Sequence, residues 1–365
     1  MNSSFSSRYR IASCICRSAL LFLATCASQV LARPAERWFH SGFEGGVHVE
    51  TSPEDGRDRL SGGEAQPGSN WSSDLPAKRA EFVYIVASRP ISDYARSTVV
   101  ETSGADGRPS HALKMESLKW DSGNRSGLLN RNEFSLFNPP YHSAYARYNM
   151  RLEDEPANRY PSDDAQSWRM FFEIKEPNSG VPRIEASDNR RTGTNNYRIS
   201  FYIRRGTNGR FYWHVRGESP QPVREVDWDI FNDEVPVPFG RWFTVEVAFN
   251  HSNATSGYAW LAIDGRQVAL YRGRTQHAVS PLPLEFWSPF KLYASREILT
   301  NGPLYQLIDN VEFWSAPPPD ATRIDETQAN HSTFQPSIAG STRASSPSPV
   351  LPSSSEEKRA DPLPR

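Results

Sequence analysis

The chain has 365 residues, 37% of them hydrophobic, and its 41 Lys and Arg nearly balance 42 Asp and Glu. That balance lacks the basic footprint of a nucleic-acid binder, and the length allows one large all-β domain or two small ones. A mean hydropathy of −0.63 is low for a buried α/β enzyme but fits a sandwich whose strands each keep a wet face.

The N-terminus reads as a targeting segment. Arg8, Arg10 and Arg17 precede the apolar run Ser18–Cys26, which is too short to span a membrane, and Val30-Leu31-Ala32 has the small-residue character of a cleavage site. Residues 1–32 are therefore expected to be a signal peptide, and the rest a secreted or periplasmic protein with no membrane insertion. Cys14, Cys16 and Cys26 all lie in this leader, so the remainder is expected to carry neither a disulfide nor a thiol site.

Trp38–Glu50 reads as a first strand interrupted by glycines, and Thr51–Ala77 as a long loop rich in Gly, Ser, Pro and Asp. Further strands are expected at Phe82–Ala87, His111–Leu118, Asn130–Leu136, Ala144–Leu152, Ser167–Lys175, Tyr197–Arg204 and Arg210–Arg216. The stretch Pro220–Pro238 reads as a proline-rich acidic loop. The clearest pattern is Phe239–Asp264. Phe243, Val245, Val247 and Phe249 alternate with Trp242, Thr244, Glu246 and Ala248, the period of a strand with one face in a core. After the polar loop His251–Gly257, Ala259, Leu261 and Ile263 alternate with Tyr258, Trp260 and Ala262 up to the Asp264-Gly265 turn, and Arg266–Tyr271 follows as a third strand. Three such strands need a second sheet to cover them. The expected fold is thus all-β, a jelly-roll sandwich of two antiparallel sheets over residues 33–316. Residues 317–365, with runs such as Ser-Ser-Pro-Ser-Pro, hold few large apolar groups and are expected to be a disordered Pro/Ser-rich tail.

Three stretches carry candidate chemistry. Period two puts Arg131 and Glu133 on one strand face, where the carboxylate can orient the guanidinium toward an anion. Glu173 and Lys175 share a face opposite Phe172 and Ile174, and Phe290-Lys291-Leu292-Tyr293 places Lys291 beside Tyr293. Each alone also fits a solvated strand face with cross-strand ion pairs.

Together, in this order, they resemble the concanavalin-A-like jelly-roll polysaccharide lyases, the alginate, glucuronan and heparin lyase group. Those alginate lyases carry an Arg-x-Glu strand, a Gln-Ile-His strand and a late Tyr-Phe-Lys-Ala-Gly-x-Tyr strand. The matching stretches are Arg131-Asn132-Glu133, Glu173-Ile174-Lys175 and Phe290-Lys291-Leu292-Tyr293. Gly240-Arg241-Trp242, Trp260–Gly265 and Ile308-Asp309-Asn310-Val311 are similar to the group's core hairpin and last strand, so the resemblance spans Trp38 to Trp314. The departures are specific. Glu173 stands where the group has Gln, Lys175 where it has His, and Tyr293 matches the group's tyrosine only across a gap, since an ungapped match lands on Ser295.

The resemblance implies β-elimination on an acidic, uronate-containing polysaccharide, with a monomeric protein and no cofactor required for the chemistry. Such a reaction neutralises the C6 carboxylate, removes the C5 proton and protonates the leaving oxygen. Tyr293, Lys175 and His214 are the expected catalytic residues. Arg131, Glu133, Glu173 and Lys291 are the expected substrate-binding ones. His214, flanked by Tyr212 and Arg216 on its own face, is a better stand-in base than His142. Two alternatives remain open: a non-catalytic lectin-like binding module, and a jelly-roll glycoside hydrolase using Glu225, Asp227 and Asp229. The resemblance also implies a structural calcium near the neighbouring first and last strands, with Glu44 and Asp309 supplying part of its oxygen shell.

Overall fold

Strands alternate large apolar residues with polar ones along most of the chain. The computed structural model describes residues 34–333, apart from 65–67, 76, 78, 87, 123–130, 155, 157, 163–166, 177–196, 220–224, 253, 277–283 and 285. The proposed leader and its cysteines lie outside the described residues. The first strands are β1 (Arg37–Ser41), β2 (His48–Thr51), β3 (Asp58–Ser61), β4 (Arg79–Ile85), β5 (Ala95–Ser103) and β6 (Pro109–Ser117). The middle of the chain supplies β7 (Arg131–Phe137), β8 (Ser143–Leu152), β9 (Trp168–Lys175), β10 (Arg198–Arg205), β11 (Phe211–Ser219) and β12 (Glu225–Asn232). Then come β13 (Trp242–Asn250), β14 (Tyr258–Ile263), β15 (Arg266–Arg272), β16 (Phe286–Ala294), the short helix α1 (Arg296–Thr300) and β17 (Leu304–Trp314).

Two antiparallel sheets pack face to face, as expected. The first has eight strands in the order β15-β14-β13-β8-β17-β6-β5, with β1 also paired to β17. The second has seven, β12-β11-β10-β9-β16-β7-β4, and a separate pair joins β2 to β3. The predicted hairpin and third strand are β13–β15. Val245, Val247, Phe249, Leu261 and Ile263 point into the core against Phe172, Ile174, Phe201, Trp213, Phe290 and Leu292 of the other sheet. The opposite row of the hairpin, Ala248, Trp260 and Ala262, forms a second apolar cluster outside the sandwich.

That second cluster explains why the structured part runs past residue 316. Ala321, Ile324 and Ala329 pack on Trp260, Ala262, Leu270 and Tyr145, so the expected disorder does not apply to residues 317–333. Glu246 accepts hydrogen bonds from the Thr322 amide at 2.9 Å and from Tyr145 Oη at 2.6 Å. Few apolar residues suffice there because the sheet already presents a Trp-rich face. The acidic stretch also departs from the expectation: β12 is a strand, not a loop, and forms one edge of the seven-stranded sheet. β5 carries Ser, Thr and Glu at most positions and lacked an apolar signal, but it pairs along its whole length with β6.

Candidate active site

The seven-stranded sheet positions the predicted residues. Direct antiparallel partners share a face, and the register pairs Lys291 with Glu133 and Tyr293 with Arg131. Further across the sheet, Glu173 faces Ser200, Ser200 faces Arg216, and Arg216 faces Asp229. The three stretches singled out by sequence thus lie on neighbouring strands, β7, β16 and β9, with their polar residues on the face turned away from the core.

These residues form a ladder of alternating charge running transverse to the strands. Arg131 Nη1 lies 3.2 Å from Glu133 Oε1, and Lys291 Nζ lies 2.5 Å from Glu133 Oε2. Lys291 also donates to Glu173. Arg198 stands 3.7 Å from Glu173 and 3.7 Å from Glu218. Arg216 then reaches Glu218 at 3.4 Å and Asp229 at 2.7 Å. Glu133, Glu173, Glu218 and Lys291 are all buried. Burial alone would push the Glu173 carboxyl up, but Lys291, Arg198 and Arg131 outweigh it and hold the group well below the usual carboxylate range. Glu173 is therefore an anion at neutral pH, matched by Lys291 rather than left to repel a uronate. Burial would likewise favour a neutral Arg131, yet Glu133, Tyr293 and Glu173 keep its guanidinium charged.

A second row, of rings, runs beside the ladder. Register aligns Tyr293 with Met170, Met170 with Tyr202, and Tyr202 with His214. Trp168 touches Tyr293 and Tyr202 edge-on, at 5.1 and 6.0 Å between ring centres. The His214 ring stacks between Tyr202 at 5.2 Å and Phe231 at 4.4 Å. Sequence periodicity missed this row because β9 shifts register between Met170 and Phe172, where Phe171 and Phe172 both turn to the core. Trp168 and Met170 thereby join the face of Glu173 and Lys175 out of strict alternation.

The three expected catalytic residues do not meet at one point. Arg131 and Lys291 flank the Tyr293 ring, at 5.0 and 5.5 Å from its centre. His214 lies three strands from Tyr293 in the same row, about 14 Å at ordinary strand spacing. Lys175 pairs with Arg198 and Phe286, whereas Tyr293 pairs with Met170, which puts the lysine about 15 Å further along β9. Neither can act on a carbon that Tyr293 also touches. His214 is instead bound to Asp229, with Nε2 to Oδ1 at 2.6 Å, and burial outweighs Asp229 to push its pKa down to about 4. His142 is exposed and stacks on His251, away from this row.

The hydrolase alternative loses its acids. Asp229 is held by His214 and Arg216, and Asp227 pairs with Arg274 at 2.5 Å. The Glu225 side chain lies outside the described residues.

Glu44 and Asp309 do approach each other where β1 meets β17. Ser110 Oγ donates to Glu44 Oε1 at 2.9 Å and lies 3.4 Å from Asp309 Oδ2. Glu44 also accepts from the His111 amide at 2.8 Å and pairs with His111 Nδ1 at 2.6 Å, and Asp309 accepts from the Asn310 amide at 2.6 Å. The carboxylate oxygens thus face hydrogen-bond donors. Among the described residues no three His, Cys, Asp or Glu side chains group to hold a metal. This donor set does not fit a calcium cage, which needs six to eight oxygens. The acids instead perturb one another: burial, then Glu44 and Glu64, raise Asp309 to about 6.

No protein-family model matches this chain. No curated protein matches it either. Solved structures do resemble it. The endo-β-1,4-glucuronan lyase of the fungus Trichoderma reesei aligns over 64% of this chain and 94% of its own, at 16% identity and a TM-score of 0.43. The alginate lyase Aly36B aligns over 80% of this chain and 100% of its own, at 12% identity and 0.42. The Emp47p carbohydrate recognition domain aligns over 65% and 95%, at 10% identity and 0.33. Likeness this distant transfers no residue role, so the chemistry rests on the side chains described above. Among the described residues no helix is long and apolar enough to cross a membrane.

Proposed function

We propose that the polar face of the seven-stranded sheet binds an acidic, uronate-containing polysaccharide and cleaves it by β-elimination centred on Tyr293. The observation that supports this is the Tyr293 ring set between two cations, Arg131 at 5.0 Å and Lys291 at 5.5 Å. The Tyr293 hydroxyl is the group that takes the C5 proton and returns a proton to the leaving C4 oxygen. The electrons of the C5–H bond form the C4–C5 double bond as the C4–O bond breaks, and no water is consumed. The planar Arg131 fork pairs with the C6 carboxylate and so stabilises charge developing at C5. Glu133 fixes the guanidinium and the ammonium in place. Tyr293, Trp168 and Tyr202, the half-buried rings of the neighbouring row, offer edges against which a sugar can pack. Secretion belongs to the same reading and is supported by the leader pattern of residues 1–32.

One observation favours a second reading, a non-catalytic glycan-binding module. Glu133 and Glu173 already neutralise Lys291, and an incoming uronate must compete with them for the cations. One experiment separates the two. The protein is incubated with alginate, glucuronan, pectate and glycosaminoglycans while binding and the ultraviolet absorbance of unsaturated product are followed. Binding with product supports the lyase, binding without product supports the module, and neither, from a folded protein, removes both.

A further inference from the structure

The connections β4–β5, β6–β7 and β16–β17 cross between the two sheets at one end of the sandwich. They leave or enter the seven-stranded sheet at Ile85, Arg131 and Ala294, and register sets Ile85 opposite Arg131 and Arg131 opposite Tyr293. The crossovers therefore form a lip beside Tyr293. Side chains join them to one another. Asp121 follows β6, is buried, and accepts from the Ser88 amide at 2.8 Å and from Ser88 Oγ at 2.6 Å on the β4–β5 connection. Its neighbour Trp120 lies against Arg296 of α1, whose guanidinium carbon is 5.9 Å from the ring centre. The Ser295 amide donates to the Trp168 carbonyl at 3.0 Å, which ties the start of α1 to the residue whose ring touches Tyr293.

The lip carries cations that solvent reaches. Arg89, Lys119 and Arg296 are exposed. By contrast, Lys291 is buried between Glu133 and Glu173, and Arg131 is buried against Glu133. Lys119 lies over the Tyr94 ring at 4.5 Å, and Arg89 Nη1 donates to the Val86 and Ser88 carbonyls at 3.0 and 3.3 Å. Among the described residues no carboxylate lies within ion-pair distance of Arg296, the nearby acids Asp93 and Glu297 included. Contact with the Trp120 face steadies the guanidinium and leaves its N–H fork open to a carboxylate. Arg296 is three residues from Tyr293, so their Cα atoms are no more than about 11 Å apart. A polyuronate that reaches the charge ladder meets cations already matched by Glu133 and Glu173; the unmatched positive charge is on the lip.

We propose that Arg296, positioned by Trp120, binds the carboxylate of a uronate flanking the one at Tyr293, and that Arg89 and Lys119 extend this contact along the lip. The ligand class that follows is a run of contiguous uronates, because an isolated uronate among neutral sugars fills only one of the two anion positions. The inference rests on the reading of the Tyr293 face as a polyuronate site.

The test measures binding of long pectate, alginate and glucuronan chains, and of the corresponding dimers, to the full chain and to Arg296→Gln, Arg296→Lys and Arg108→Gln. Arg108, in the β5–β6 turn at the opposite end of the sandwich, is the control for net charge. For the long chain that the parent binds, Arg296→Gln is expected to weaken affinity about tenfold, the size of one lost charge-assisted contact. Arg296→Lys falls between the two, because it keeps the charge and loses the planar fork. Arg108→Gln matches the parent, the difference closes at high salt, and the dimers bind parent and Arg296→Gln alike. Equal affinity of parent and Arg296→Gln for the long chain overturns the lip and leaves the Tyr293 reading in place. An equal loss in Arg108→Gln, or an equal loss on the dimers, overturns it too. A loss confined to Arg296→Gln and to long chains, in a protein that forms no unsaturated product, supports the lip and removes the lyase. No binding of any chain by the folded parent overturns both.

Discussion

Replacing Lys291 by methionine tests the charge ladder at its centre. Lys291 is 1% exposed, with its ammonium between Glu133 and Glu173. Methionine keeps most of the stem volume and leaves two buried carboxylates facing each other. Breaking a buried pair from one side costs about 3–5 kcal/mol. Two pairs break here, but Glu133 keeps Arg131 at 3.2 Å and Glu173 keeps Arg198 at 3.7 Å, so the sum stays within that single-pair range, about 3–5 kcal/mol at pH 8. The pH dependence has a definite sign. In the parent protein Glu173 is depressed below its ordinary 4.5, so its contribution is fully present above that pH and fades as the pH falls through the lowered value. In Lys291→Met, Glu173 loses the largest influence that lowers it, so the variant weakens as pH increases and recovers toward pH 4. Urea unfolding at pH 4 and pH 8, followed by tryptophan fluorescence, gives both numbers. Adding Glu173→Gln is expected to restore much of the loss at pH 8, because it removes one of the two stranded charges. A cost below about 1 kcal/mol at pH 8, or an equal cost at both pH values, refutes the reasoning.

Other expectations follow from the remaining buried groups. Asp309 is raised to about 6 from 3.8, so its penalty is absent below 3.8 and grows as pH rises through 6. Asp309→Asn is therefore expected to stabilise by about 2 kcal/mol at pH 8 and to change little at pH 4, and a loss of stability at pH 8 contradicts this. Thermal midpoints in millimolar calcium and in chelator are expected to coincide, because the Glu44 and Asp309 oxygens already face hydrogen-bond donors, and a calcium-dependent rise overturns that reasoning. His214 is lowered to about 4 from 6.5, so stability is expected to fall as pH drops across that window, where the unfolded chain binds the proton first. His214→Gln flattens that acid limb, and an unchanged limb in the variant points to other groups.

Much of this architecture was legible from residue order. The hairpin from Trp242 to Ile263 declared itself because both of its faces are bulky, and the second sheet followed from the need to cover it. The ladder was legible in part. Arg131, Glu133, Lys291 and Tyr293 alternate at period two and fall together. The distance between Tyr293 and His214 was not legible, since it depends on strand order and on a register shift in β9 that no local pattern marks. Nor was the role of Asp229: an acidic, proline-flanked stretch looks like a loop until Arg216, Arg274 and His214 balance its charges across strands. Residues 320–333 hid for a related reason. Their own apolar content is small, and the partner surface around Trp260 supplies what they lack.

The most direct test of the account is elimination by Tyr293→Phe on whichever polyuronate the parent protein binds best. Removing one hydroxyl leaves the ring against Arg131, Lys291 and Trp168, so folding and glycan affinity are expected to persist. The account predicts that formation of unsaturated product falls by about 10²–10⁴-fold, the range for losing a positioned proton-transfer group. Product formation within about tenfold of the parent protein would contradict a reaction centred on Tyr293.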